Sequence, residues 1–398
     1  MRRTTLTALL LALAAVAAAQ PPSPPQPLPT GPAAAPAAEA PISKYEPLTL
    51  FPMPTQQAVR GVATGANWLV RMNQAQGRFL HGYRPALRQA MEGDTDLRQA
   101  YGALALAQAA KFTGDDRSMA VAGQAVLTLL AATRIDPTDP NCRVPTTTQG
   151  GAESFAAVLA LAIYELPGAD PRLTAEAERL CQYLRKQAHL FDLPNADAGL
   201  LLSAVVAGNK VRAEPWKVEL ATKSLTTNRE AYKAARNPHH VATVIPAYAD
   251  LFLQTKHADA GAAVLELTDW LCSVQYPAAN ARNPQWGGGF PSTEVAGSAP
   301  CYDSAVCLAA LGWAYQVTAR NADVARAERY RQAAQDAALF VTALQYDEPN
   351  TRHFENTFRA NVLIGGFHLS PSDGDLRVDV AGRCVSGLLR YLASGADR

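Results

Sequence analysis

The sequence predicts an all-α fold: an (α/α)6 double toroid, in which about twelve antiparallel helices close into a ring of six hairpins. Three observations predict it. Helical periodicity runs through most of the chain while strand-like alternation is nearly absent. Short and long connectors alternate between the helices. A pattern of helix, glycine-aromatic loop and helix-starting Asp recurs three times, which a plain bundle does not require.

Taken in order, the chain opens with Arg2 and Arg3 before an apolar run from Leu6 to Ala18 that ends in small residues. This reads as a secretory signal over 1–19, too short for a membrane anchor. Residues 20–42 are nearly all Pro and Ala, a composition that buries no core and favours an extended linker. The remainder, 43–398, is long for one domain but fits a single closed helical ring. The expected location is secreted or periplasmic.

Periodicity and stop signals place helices at approximately 56–75, 95–112, 116–133, 152–165, 172–189, 195–208, 215–234, 241–255, 258–276, 302–318, 322–346 and 377–394. Some junctions are explicit. Gly114 is a helix stop followed by the N-cap Asp115, and Gly168, Asp170 and Pro171 supply a stop, a cap and an N1 proline. Short turns follow Phe112, Glu165, Gly208, Gln254 and Thr318, and such turns make antiparallel hairpins. Longer connectors occupy 76–94, 134–151, 190–194, 235–240, 277–301 and 347–376, so all of them emerge at one end of the ring. The first and last helices are left to pair and close it.

Composition separates the members of each hairpin. Helices entered from a long connector are small and apolar, as in Tyr101-Gly-Ala-Leu-Ala-Leu-Ala107 and Phe155-Ala-Ala-Val-Leu-Ala-Leu161, and suit an inner barrel. Their partners, such as 172–189 and 322–346, carry charged residues on one face, as an amphipathic outer helix does.

Formal net charge is +1 and no Lys/Arg block stands out, so neither nucleic acid nor an anionic membrane is indicated, and no second apolar run reaches a membrane-spanning length. The expected partner is a polysaccharide or another small polar ligand. Six cysteines occur without a C-x-x-C pair, which supports neither zinc nor redox chemistry and leaves 15 pairings open if all six were bridged.

With the inner helices starting at the long-connector end, their N-termini converge on a central depression that favours an anionic or hydroxyl-rich ligand. The candidate catalytic residues there are Asp96, Asp303 and Asp379 with Arg98, Tyr302, Arg377 and Arg383. An Asp at a helix start is also a common cap. Clustering of acid, Arg and Tyr is what acid–base chemistry on a sugar requires. Candidate substrate-binding residues are His81, Tyr83, Glu153, Trp286 and Phe290, the aromatic ones acting either as sugar-stacking platforms or as plugs that hold a loop on the domain. His239 and His240 read as surface or capping histidines, and no residue is assigned to a metal.

The repeat itself runs Trp68-Leu69, Gly77-Arg-Phe79, Asp96; then Trp270-Leu271, Gly288-Gly-Phe290, Asp303; then Gly365-Gly-Phe367, Asp379. In this the chain resembles the α/α-toroid superfamily, which includes terpene cyclases with squalene-cyclase-like repeats, protein prenyltransferases, polysaccharide lyases and glycosidases. Asp94-Thr-Asp96 is followed by Leu97, which departs from the Asp-x-Asp-Asp run of the cyclases, and the prenyltransferase zinc set has no counterpart. Gln275-Tyr-Pro277, Trp286-Gly-Gly-Gly-Phe-Pro291 and Tyr302-Asp-Ser304 together resemble the loop-and-helix pattern of family 10 pectate lyases over some thirty residues. That resemblance implies calcium as a cofactor, Asp303 as the matching acid, and Asp96 and Asp379 as calcium or substrate ligands. It leaves the base open among Arg98, Arg377 and Arg383. Two classes of function therefore stand: a lyase or hydrolase acting on an acidic polysaccharide, and a non-catalytic toroid that binds glycan or an exported protein.

Overall fold

A computed structural model of the chain describes residues 40–146, 151–280, 282–292 and 298–398. The signal and most of the linker read from the sequence lie outside the described residues. Twelve long helices follow: α1 (Met53–Met72), α2 (Asp96–Thr113), α3 (Asp116–Ala131), α4 (Ala152–Glu165), α5 (Pro171–Lys186), α6 (Ala196–Val211), α7 (Pro215–Ala235), α8 (Pro238–Thr255), α9 (Ala258–Val274), α10 (Cys301–Asn321), α11 (Val324–Ala343) and α12 (Val378–Ser394).

The even-numbered helices form the inner ring. Each packs on the next, α2 on α4, then α6, α8, α10 and α12, and α12 returns to α2. The odd-numbered helices lie outside, with α1 against α12 and α11. The reason is in the side chains: Ala103, Leu104, Ala105, Leu106 and Ala107 of α2 and Ala156, Ala157 and Val158 of α4 are buried on consecutive positions, so these helices bury more than one face. In α5, by contrast, burial is confined to one stripe.

Helix starts follow the expected chemistry. Asp115 accepts from Ser118 N–H at 2.7 Å and Asp170 accepts from Arg172 N–H at 2.8 Å. Helix ends differ from expectation where the chain leaves to pair elsewhere. α9 stops at Val274 because Tyr276 exchanges backbone hydrogen bonds with Gly288 and Gly289, and α11 stops at Ala343 because Tyr346 does the same with Gly365 and Gly366. Asn237 caps α8 three residues earlier than its periodicity suggests, accepting from His239 and His240 N–H.

Among the described residues, six short strands were not legible as strands. Gly82–Arg84 (β1), Gln89–Ala90 (β2), His368–Ser370 (β5) and Asp373–Arg377 (β6) form a sheet in the order β2-β1-β6-β5, while Thr133–Asp136 (β3) and Asp139–Pro145 (β4) form a hairpin. The first sheet joins the first long connector to the last, with Gly82 opposite Arg377. Ring closure is thus made by backbone pairing as well as by α1 on α12.

The glycine-aromatic loops fold back on outer helices. Gly365 has φ +91°, and a Cβ there would lie 2.2 Å from the carbonyl oxygen of Thr64 in α1. Gly365→Ala is expected to destabilise by at least about 2 kcal/mol, since strain in the left-handed region and a backbone clash act together. Denaturant unfolding of the two proteins measures it, and an unchanged midpoint would refute it.

Candidate functional site

At the long-connector end a depression of about 500 Å³ is lined by the starts of four inner helices: Thr95, Leu97, Arg98 and Tyr101 from α2; Asn237, His239 and His240 from α8; Pro300, Tyr302 and Asp303 around α10; and Arg377, Asp379 and Val380 around α12. Pro291, Ser292 and Leu369 complete the lining. The starts of α4 and α6 do not contribute among the described residues, so the expected convergence of six N-termini is reduced to four.

The three acids in equivalent sequence positions are not equivalent in space, and none serves as a cap. Asp379, the second residue of α12, is bound through both oxygens by the Arg377 guanidinium, with Nε–Oδ1 at 3.0 Å. Asp303 faces His239, whose Nδ1 lies 3.1 Å from Oδ1 without the alignment of a hydrogen bond. Asp96 does not line the depression; Arg78 holds it at 2.9 Å and Asp94 at 3.0 Å. Thr95 caps α2 in its place.

Arg383 lies beneath the floor. Its guanidinium sits 4.0 Å from the Tyr101 ring centroid and 5.5 Å from that of Tyr302, and Nη2 donates to the Tyr101 hydroxyl oxygen at 2.5 Å. Among the described residues no carboxylate lies within ion-pair distance of it. The phenol oxygen of Tyr101 therefore accepts from a cation, and the Tyr302 side chain is its other polar neighbour. Burial pushes that phenol well above its ordinary range, against the pull of the guanidinium, so it remains protonated. His239 adds an imidazole 5.5 Å from the Tyr302 ring.

Other expected residues are placed elsewhere. Arg98 lines the depression and donates to the carbonyl of Gly93. Glu153 accepts from Tyr183 Oη at 2.9 Å, outside it. His81 is buried next to β1, where its carbonyl receives Val378 N–H. Tyr83 packs against Phe358 and Trp286 against Tyr276 in the surrounding connectors. Phe290 is fully buried, with its N–H on Ser304 Oγ at 3.0 Å, so its ring presents no face to a sugar.

Calcium held by Asp96, Asp303 and Asp379 does not fit this arrangement. Two of the three carboxylates are taken by arginines, and among the described residues no group of three acids, histidines or cysteines comes together. Sequence reasoning missed Tyr101, read as part of the apolar inner wall, and discounted His239. Tyr101 lies about one turn beyond Arg98 on the same helix face, a spacing that could have linked them.

Fold and site together define an α/α toroid with a polar, cationic and acidic depression at one end of its inner ring. No protein-family model matches the sequence, and no curated protein matches it. Solved structures do. The chain is similar to a D-mannose isomerase, at 11% identity and TM-score 0.63, over 86% of this chain and 99% of that one. It is similar to the GH76A alpha-1,6-mannanase from Salegentibacter sp. HEL1_6, at 12% identity and TM-score 0.58, over 85% and 99%. It is also similar to an unsaturated glucuronyl hydrolase specific for heparin, at 13% identity and TM-score 0.57, over 84% and 96%. At these identities the likeness establishes the fold. Among the described residues, no helix is long and apolar enough to cross a membrane.

Proposed function

We propose that this protein is an exported carbohydrate-active enzyme, a lyase or hydrolase that takes an acidic sugar chain in the depression. The observation that carries the reading is Tyr101, a protonated phenol whose oxygen is held by a buried arginine, beside the Asp303–His239 pair. The reading gains support from the saccharide-directed enzymes of the same fold, and from the apolar leader for export.

In the lyase form, Arg98 and the helix N-termini meet the uronate carboxylate and lower the cost of charge developing next to it. His239, with the Asp303 carboxylate 3.1 Å from its Nδ1 to balance the charge it gains, removes the proton from the carbon bearing the uronate carboxylate. The electron pair forms a carbon–carbon double bond, the bond to the glycosidic oxygen breaks, and that oxygen takes its proton from Tyr101. Arg383 stabilises the phenolate that remains. The three repeated glycine-aromatic loops are read as an internal repeat that places Asp303 and Asp379 at corresponding helix starts.

Incubation with a panel of polyuronates tests the proposal, following absorbance of the new double bond for elimination and reducing ends for hydrolysis. A rise in either supports it. Flat traces in both, with saccharide still bound, would instead leave a glycan-binding module. A second reading, aldose isomerisation or epimerisation, is favoured by the same His239, since moving a proton at a sugar carbon needs a base in the depression, and a D-mannose isomerase shares the fold. Conversion of free aldoses without action on polymers would decide for it.

A further inference from the structure

We infer that Cys301 and Cys384 form a disulfide that locks the floor of the depression. Both residues are fully buried, and their Sγ atoms lie 3.3 Å apart across the contact between α10 and α12. Bonding needs about 2.0 Å, an approach that side-chain torsions can supply when the backbones are already close. They are close here: a Cβ at Gly387 of α12 would lie 2.6 Å from the carbonyl oxygen of Ala305 in α10. Among the described residues, Cys301 with Cys384 is the one sulfur–sulfur contact at hydrogen-bond geometry between two cysteines, so the fold favours a single bridge and leaves the other four cysteines as thiols.

The position gives the bond a purpose. Cys301 directly precedes Tyr302 and Asp303, and Cys384 directly follows Arg383. A bridge would fix the start of α10 against the helix that carries Arg383 and Asp379, holding Tyr302 over the guanidinium. It would join residues 83 positions apart, a span over which cross-linking restricts the unfolded chain substantially. The reaction removes two protons and two electrons from the pair of thiols. Oxidised glutathione, or a disulfide carrier of the same class outside the cytoplasm, accepts them and becomes two thiols.

Timing follows from burial. Desolvation pushes the Cys384 thiol well above its ordinary range, so in the finished fold little thiolate exists and no oxidant reaches it. The bridge therefore closes during folding, before α10 and α12 seal over it.

The test is to refold the full reduced chain either with a glutathione redox pair or with excess reduced thiol, then to alkylate under denaturing conditions and weigh the protein. Glutathione-refolded protein is expected to carry four alkylated cysteines of the six, with a peptide pair containing Cys301 and Cys384 that separates on reduction. Six alkylated cysteines, or a bridge between other positions, would overturn the inference. The bridged form should also melt about 5 °C higher than the reduced one. That difference should vanish in Cys301→Ala/Cys384→Ala; a double variant that keeps it would count against the bridge. Neither readout depends on catalysis, so the inference can fail while the proposed activity stands.

Discussion

Tyr101→Phe is expected to lower turnover on a polyuronate substrate by at least about 10²-fold while leaving KM nearly unchanged, the range that removal of a positioned proton donor produces. The ring stays, and so does its face against Arg383, but the oxygen that accepts from Nη2 at 2.5 Å is lost. Because Arg383 then has one fewer partner in a buried place, some stability should go as well, about 1–3 kcal/mol. The two losses separate experimentally: turnover is measured below the lowered melting point, and saccharide affinity reports whether the depression is intact. Tyr302→Phe serves as the comparison, since Tyr302 packs edge-on against Tyr101 and farther from the guanidinium. Equal losses for both, or a full-rate Tyr101→Phe enzyme, would remove Tyr101 from the proposed chemistry. Arg383→Lys keeps the charge but not the stacking plane, and should fall between the two in turnover.

The ring was legible because its signals are local and redundant. Small apolar inner helices alternate with charged-faced outer ones, and caps such as Asp115 and Asp170 mark helix starts whatever the rest of the fold does. The sheet that closes the ring was not legible, because Gly82–Arg84 and Asp373–Arg377 are too short and too polar to alternate, and they pair across nearly the whole chain. The site was legible in part for a similar reason. Asp96, Asp303 and Asp379 look alike in the repeat, but the first loop reads Gly77-Arg78-Phe79 where the others read Gly288-Gly289-Phe290 and Gly365-Gly366-Phe367. That single arginine, at the place of the second glycine, reaches across to Asp94 and Asp96 and removes one acid from the set. Tyr101 was hidden by its neighbours, since an aromatic residue in an Ala-Leu run is ordinarily core.

Lys217→Met should be among the most destabilising single substitutions in the chain, at about 3–5 kcal/mol, although it lies at the opposite end of the ring from the depression. Lys217 has no exposed side-chain surface, and its three protons are all used. They go to Glu178 Oε2 at 2.7 Å, the Arg212 carbonyl at 2.9 Å and the Gly208 carbonyl at 3.1 Å. Glu178 in turn accepts from the Tyr164 hydroxyl at 2.7 Å. One ammonium group therefore ties α7 to α5 and to the end of α6, and through Glu178 to α4. Methionine fills the volume of the stem but leaves a carboxylate and two carbonyls buried without their donor, and the penalty is the desolvation of those groups rather than the lost attraction alone. Adding Glu178→Gln to Lys217→Met removes the stranded charge while keeping an acceptor for Tyr164, so the double variant should be more stable than Lys217→Met by about 1–3 kcal/mol. Denaturant unfolding of wild type, both single variants and the double variant closes the cycle. Additive losses would show that Lys217 acts only through packing, and an undiminished Tyr101-dependent turnover in the folded fraction would show that this end of the ring serves stability alone.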